Sequence, residues 1–167
     1  MNLQSCLKQL QENKNFKDFI KENPSAYLCS GFFTIDKEAT ENQQHLDFFI
    51  PGKEKIFSFQ MEKEGKMKSL EVYNQNIPEK ISFDFDLDFD DVERMIFDRM
   101  EKEGIKDKIH KLIFSLQNVN DKNILTGTIF TSMFGLLQMN LDIATNEIID
   151  FEKKSFFDMV KVFKKKD

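Results

Sequence analysis

The stretch Ile81-Ser82-Phe83-Asp84-Phe85-Asp86-Leu87-Asp88-Phe89-Asp90 alternates apolar and polar residues without a break. Successive side chains of a strand point to opposite faces, so this period of two predicts a strand with one apolar and one acidic face. Directly after it, Asp90 or Asp91 is placed to cap a helix with the apolar stripe Val92, Met95, Ile96 and Met100, and Gly104 is placed to end that helix.

Towards the C-terminus, Ile109–Leu116, Ile124–Thr131, Leu136–Asp142 and Glu147–Phe151 read as four further strands. Ser155 with Asp158 forms a capping box, and Phe156, Phe157, Val160 and Phe163 supply an apolar stripe. A short final helix is expected, with Lys164, Lys165 and Lys166 at the negative end of its dipole. Towards the N-terminus, Asn74–Lys80 is a polar connector containing Pro78. Before it come Met67–Tyr73, the turn Glu62–Gly65, the alternation Phe57, Phe59, Met61, and the alternation Leu46, Phe48, Ile50 that breaks at Pro51-Gly52. Tyr27–Ile35 is the first strand of this meander. Leu3, Cys6, Leu7 and Leu10 open an amphipathic helix, and Phe16, Phe19 and Ile20 continue its stripe after a small phase shift, up to Asn23-Pro24.

The two halves share an order of elements, a helix and then antiparallel strands. An α+β fold of two units follows, residues 1–80 and 81–167, each a helix packed on an antiparallel meander sheet, as a tandem repeat in element order. The 167 residues include 19 Phe and no Trp, so Phe must supply the large buried surfaces and the chain is not disordered. The net charge of −5 argues against nucleic acid as a partner. That charge is local, because residues 81–110 hold ten acids against five basic residues. No apolar run approaches the roughly 20 residues that a spanning helix needs, and the first residues carry no leader pattern. A cytoplasmic protein without a membrane partner is expected.

Leu141-Asp142-Ile143-Ala144-Thr145-Asn146-Glu147-Ile148-Ile149 resembles the terminal hairpin of PepSY-type domains, which read strand, Asp, two residues, Thr-Gly-Glu, strand. Asp142 is placed to accept hydrogen bonds from the turn backbone, and Asn146 stands where the family has Gly. The helix Asp91–Gly104 and the strands Ile109–Leu116 and Ile124–Thr131 match the elements upstream, so the resemblance covers roughly residues 88–153. It implies a cystatin-like fold, a helix held against a curved antiparallel sheet. It also implies a role in inhibiting or regulating peptidases, or another binding role, and it brings no catalytic residue set. Residues 1–80 match only in element order.

Asp84, Asp86 and Asp88 invite a calcium reading, but the sixth and twelfth positions of such a loop are Phe89 and Met95 where Gly and Glu are required. Asp84, Asp86, Asp88 and Asp90 remain either a solvated strand face or a surface for a basic protein partner. His45, His110, Cys6 and Cys29 lack metal-ligand spacing, and no nucleophile elbow or Gly-rich phosphate loop occurs. No metal, cofactor or catalytic residue is therefore assigned. Phe32, Phe48, Phe57, Phe59 and Phe130 either fill the core or line an apolar cleft. The sequence thus favours a non-enzymatic protein-binding or regulatory module. The alternatives are a binder of an apolar small molecule and an enzyme that uses a carboxylate pair.

Overall fold

The computed structural model describes residues 1–39, 42–61, 66–71, 77–82 and 84–155. In chain order the elements are α1 (Leu3–Glu12), α2 (Lys14–Glu22), β1 (Tyr27–Asp36), β2 (Gln44–Ile50), β3 (Lys55–Gln60), β4 (Lys66–Glu71), α3 (Phe89–Lys102), β5 (Ile109–Val119), β6 (Lys122–Thr131), β7 (Gly135–Asp142) and β8 (Glu147–Ser155). The fold is α+β, with these helices on one antiparallel sheet of eight strands. The strand order is β4-β3-β2-β1-β5-β6-β7-β8. Each half of the chain adds a meander, and the two meet where β1 pairs with β5, with Phe33 opposite Phe114. One sheet therefore runs across the expected boundary at residues 80 and 81.

The phase shift in the first helical stripe is a break between two helices. Asn13 has extended backbone, φ −70° and ψ 131°, and is both the last cap of α1 and the first cap of α2, where its side chain accepts from the Phe16 N–H. Asn2 caps α1 in the same way, accepting from the Gln4 and Ser5 N–H groups. α3 ends as its sequence predicts. Gly104 has φ +69°, and the N–H groups of Ile105 and Gly104 return to the carbonyls of Met100 and Glu101.

The described residues of the expected strand over 81–89 do not form a strand. Burial alternates as the pattern requires, with Ile81, Leu87 and Phe89 buried and Asp84, Asp86 and Asp90 exposed. Yet both edges of β1 are already taken, by β2 and β5. The described residues of the segment run instead as an extended crossover, bonded to the chain at isolated points. The Ile81 N–H donates to the Leu28 carbonyl, Leu3 N–H to Leu87 carbonyl and Phe89 N–H to Met1 carbonyl. Phe89 is the first residue of α3, and the cap is Asp88, not Asp90 or Asp91. Phe83, the turn Glu62–Gly65, Val72 and Tyr73 of the expected strand, residues 74–76 of the connector and the expected helix after Ser155 lie outside the described residues.

The core lies between the helices and one face of the sheet. Leu3, Leu7 and Leu10 of α1, Phe16 and Phe19 of α2, and Phe89, Val92, Ile96 and Met100 of α3 cluster with Phe33, Leu46, Phe48, Phe59, Leu112, Phe114, Leu125, Ile129, Leu137 and Met139. Edge-to-face rings join α2 to the sheet, with Phe16 and Phe19 each 5.2 Å from Phe59. Phe89 bridges Phe33 at 4.6 Å and Phe114 at 5.4 Å, so the start of α3 is fixed over the joint between the two halves.

Candidate functional site

The alternation that sends one set of side chains into the core sends the other set to the opposite face of the sheet. None of the residues that follow belongs to the cluster formed with the helices. In one row across the strands, His45, Phe32, Ser115, Thr126, Asn140 and Asp150 are consecutive register partners. In the next, Thr34, Ile113, Thr128, Gln138 and Glu152 follow one another, and beyond it Asp36, Lys111, Phe130, Leu136 and Lys154. Phe32, Ile113, Thr128, Phe130, Gln138 and Asn140 are half-buried, and Thr126 is exposed.

Polar contacts hold this face in shape. The Thr126 hydroxyl donates to Asn140 Oδ1 at 2.9 Å, and Asn140 Nδ2 reaches Asp150 Oδ2 at 3.5 Å. The Phe32 ring lies 5.7 Å from the imidazole of His45. Lys111 Nζ is 3.4 Å from Asp36 Oδ2. The backbone N–H groups of Glu38 and Ala39 donate to Asp36 and, with Lys111, hold its carboxyl below the usual range. The result is a broad face on which partly exposed rings and aliphatic groups sit among hydroxyls and amides, the mixture that protein interfaces share with ordinary surface.

The four aspartates of the acidic segment do not share one strand face. Asp88 accepts from the Asp90 N–H as the cap of α3, and Asp86 Oδ1 accepts from Asn2 Nδ2 at 2.8 Å. Asp90 lies 3.3 Å from the amino group of Met1. The Asp84 carboxyl is held below its ordinary value chiefly by the Ser82 hydroxyl.

The five phenylalanines of the expected cleft are not brought together. Phe48 and Phe59 are buried in the core beneath α2. Phe57 packs at 5.3 Å on Phe19 and borders a surface hollow of about 510 Å³ with Asn15, Lys53 and Met67. Phe32 and Phe130 lie on the other side of the sheet, and Phe130 borders a separate hollow of about 300 Å³ at the β6–β7 turn. The assignment of that second side was missed from sequence, although the alternation of Phe32, Thr34 and Asp36 against Phe33 and Ile35 carries the signal.

At the β7–β8 turn, Asp142 Oδ1 accepts from the Ala144 N–H at 3.0 Å, and Asn146 has φ 55°. Lys122 Nζ is 3.2 Å from Asp142 Oδ2, and this contact, with the turn N–H groups, lowers the Asp142 pKa. Cys29 is the extra residue of a bulge in β1, between the paired Leu28 and Ser30. Burial first, and Asp47 second, push its thiol up to about 12. Burial likewise raises Cys6. Both are buried free thiols, and neither is a thiolate nucleophile at neutral pH. Among the described residues no group of three or more His, Cys, Asp or Glu is placed to hold a metal ion.

No family model matches the chain, and no curated protein matches it significantly. A solved crystal structure, of a "putative lipoprotein" from Clostridium difficile 630, is similar over 84% of this chain and 90% of its own, with a TM-score of 0.56 and 8% identity. That likeness is one of fold.

Proposed function

We propose that this chain is a non-enzymatic binding module that engages a protein partner through the side of the sheet away from the helices, and that it regulates that partner. The observation that carries the reading is the pair of rows from Phe32 to Asn140 and from Ile113 to Gln138, half-buried apart from the exposed Thr126 and outside the cluster formed with the helices. An antiparallel sheet packed on one side can present its other side to solvent or to another surface. Two units of cystatin or PepSY type, residues 1–80 and 81–167, are part of the proposal. The mirrored strand order about β1 and β5 supports them. A working place in the cytosol is also proposed; a solved structure of similar fold is called a "putative lipoprotein", so cell fractionation is the check.

The test is affinity capture by the full chain from native extract, in parallel with a variant carrying Thr126→Arg and Thr128→Arg. Both threonines sit on the face in question, and a long charged side chain there blocks docking without entering the core. A specific protein retained by the wild type and lost with the variant supports the reading. Equal capture by both, with both folded by circular dichroism, removes this face from it.

A further inference from the structure

The turn between β6 and β7 holds two large apolar side chains in solvent. Met133 is 88% exposed and Phe134 85%. Both have positive φ, 61° and 57°, a conformation that the Cβ atom disfavours. The Gly135 N–H closes the turn on the Ser132 carbonyl. Tight hairpin turns of this kind select Asn, Asp and Gly, and the β5–β6 turn obeys, with Asn120 at φ 53° and Asp121 at φ 60°. At β6–β7 both the backbone and the solvent would select against Met and Phe. The turn is nonetheless held in place, since the Ser132 N–H donates to the Lys108 carbonyl at 2.8 Å and the Lys108 N–H to Ser132 Oγ at 3.0 Å.

We propose that Met133 and Phe134 form an insertion tip that enters the surface of an anionic lipid bilayer. Two exposed side chains at one turn are too few for a broad protein interface, whereas the acyl boundary of a bilayer accepts such a tip without a shaped pocket. The charge around the tip fits anionic headgroups. Asp36, Asp107 and Glu152 each lie against a lysine, Lys111, Lys153 and Lys154 respectively, and Glu38 lies 2.8 Å from His110 Nδ1. Lys106 and Lys108 are exposed on the loop bonded to the turn. Lysines beside inserted apolar groups add attraction to an anionic leaflet. The expectation of no membrane partner rested on the lack of a spanning segment, and a peripheral tip needs none.

The experiment is flotation of the full chain with phosphatidylcholine vesicles and with vesicles of equal parts phosphatidylcholine and phosphatidylglycerol. The double variant M133N/F134G installs the residues that the turn prefers. Its thermal midpoint should equal or exceed that of the wild type, while its partitioning to anionic vesicles should fall about tenfold or more. Wild-type binding should be about tenfold weaker to the neutral vesicles. Absence of wild-type flotation with anionic vesicles, equal flotation with neutral ones, or unchanged flotation of a folded M133N/F134G overturns the proposal. Self-association without lipid that M133N/F134G abolishes would also overturn it, by giving the tip a second copy of this chain as its occupant. These variants leave the sheet rows of the proposed protein-binding face intact, so the two readings fail independently.

Discussion

Replacing Phe59 by alanine separates a filled core from a Phe-lined cleft. Phe59 is 0% exposed, and its ring meets Phe16 and Phe19 at 5.2 Å and Phe48 at 5.7 Å, all three nearly edge-to-face. Truncating a packed phenylalanine costs about 3–5 kcal/mol in transfer and cavity terms. Edge-to-face pairs add about 0.5–1.5 kcal/mol each beyond buried area, so three of them set the expected loss near the top of that range. A domain holds only about 5–15 kcal/mol in all. For a chain of this length each kcal/mol lowers the melting midpoint by about 2–4 °C, and the expected drop is about 8–20 °C. Phe32→Ala, on the half-buried side beside His45, should cost about 1–2 kcal/mol. Urea titration followed by far-UV circular dichroism reads both, since the chain has no Trp for fluorescence. The m-value should stay unchanged, so that the midpoint reports stability. Equal and small losses for Phe59→Ala and Phe32→Ala would refute the filled core and return Phe59 to the lining of a cleft.

Gly127→Ala should destabilise by about 1–2 kcal/mol, because a Cβ there would lie 2.9 Å from Met139 Cγ and 3.1 Å from Phe114 Cε1; a urea midpoint equal to wild type would mean that β6 and β7 are not packed as described. Asp88→Ala should cost about 1 kcal/mol and Asp88→Asn only a few tenths, since either Asp or Asn caps α3; equal losses in thermal melts would show that charge, not capping, is what Asp88 supplies. Asp142 is held below its ordinary value of 3.8 by Lys122 and the turn, so its carboxylate is favoured in the folded state. The stability it contributes is present above that value and is lost as pH falls through the lower folded one. Acid titrations should therefore show a steeper loss below about pH 4 for wild type than for Asp142→Asn, and parallel curves would contradict the assignment.

The eight strands were legible either from alternation, as in Leu46, Phe48 and Ile50, or from apolar and β-branched runs between polar breaks, and Pro51-Gly52 and Asn146 mark two of their turns. The end of α3 was legible because Gly104 supplies the positive φ that closes a helix. The acidic stretch misled because period two reports alternate burial, which an extended crossover between a core and solvent shares with a strand. Pairing depends on which edges are free, and only the assembled sheet shows that both edges of β1 are occupied. The split of the first helix lay in the phase shift between Leu10 and Phe16, with Asn13 as the capping residue inside it. The scatter of the five phenylalanines was not legible, since alternation tells which side of its own strand a residue takes but not what covers that side. The exposure of Met133 and Phe134 was hidden for the converse reason, because apolar residues beside strands read as core.

In the function proposed here the sheet is filled on one side and available to a protein on the other. Quantitative affinity capture from native extract, comparing the wild-type chain with the Thr126→Arg/Thr128→Arg variant, is the decisive measurement. The expected result is at least one protein retained by wild type and depleted about tenfold or more with the folded variant. Identical capture profiles for the two would mean that this face does not dock a protein.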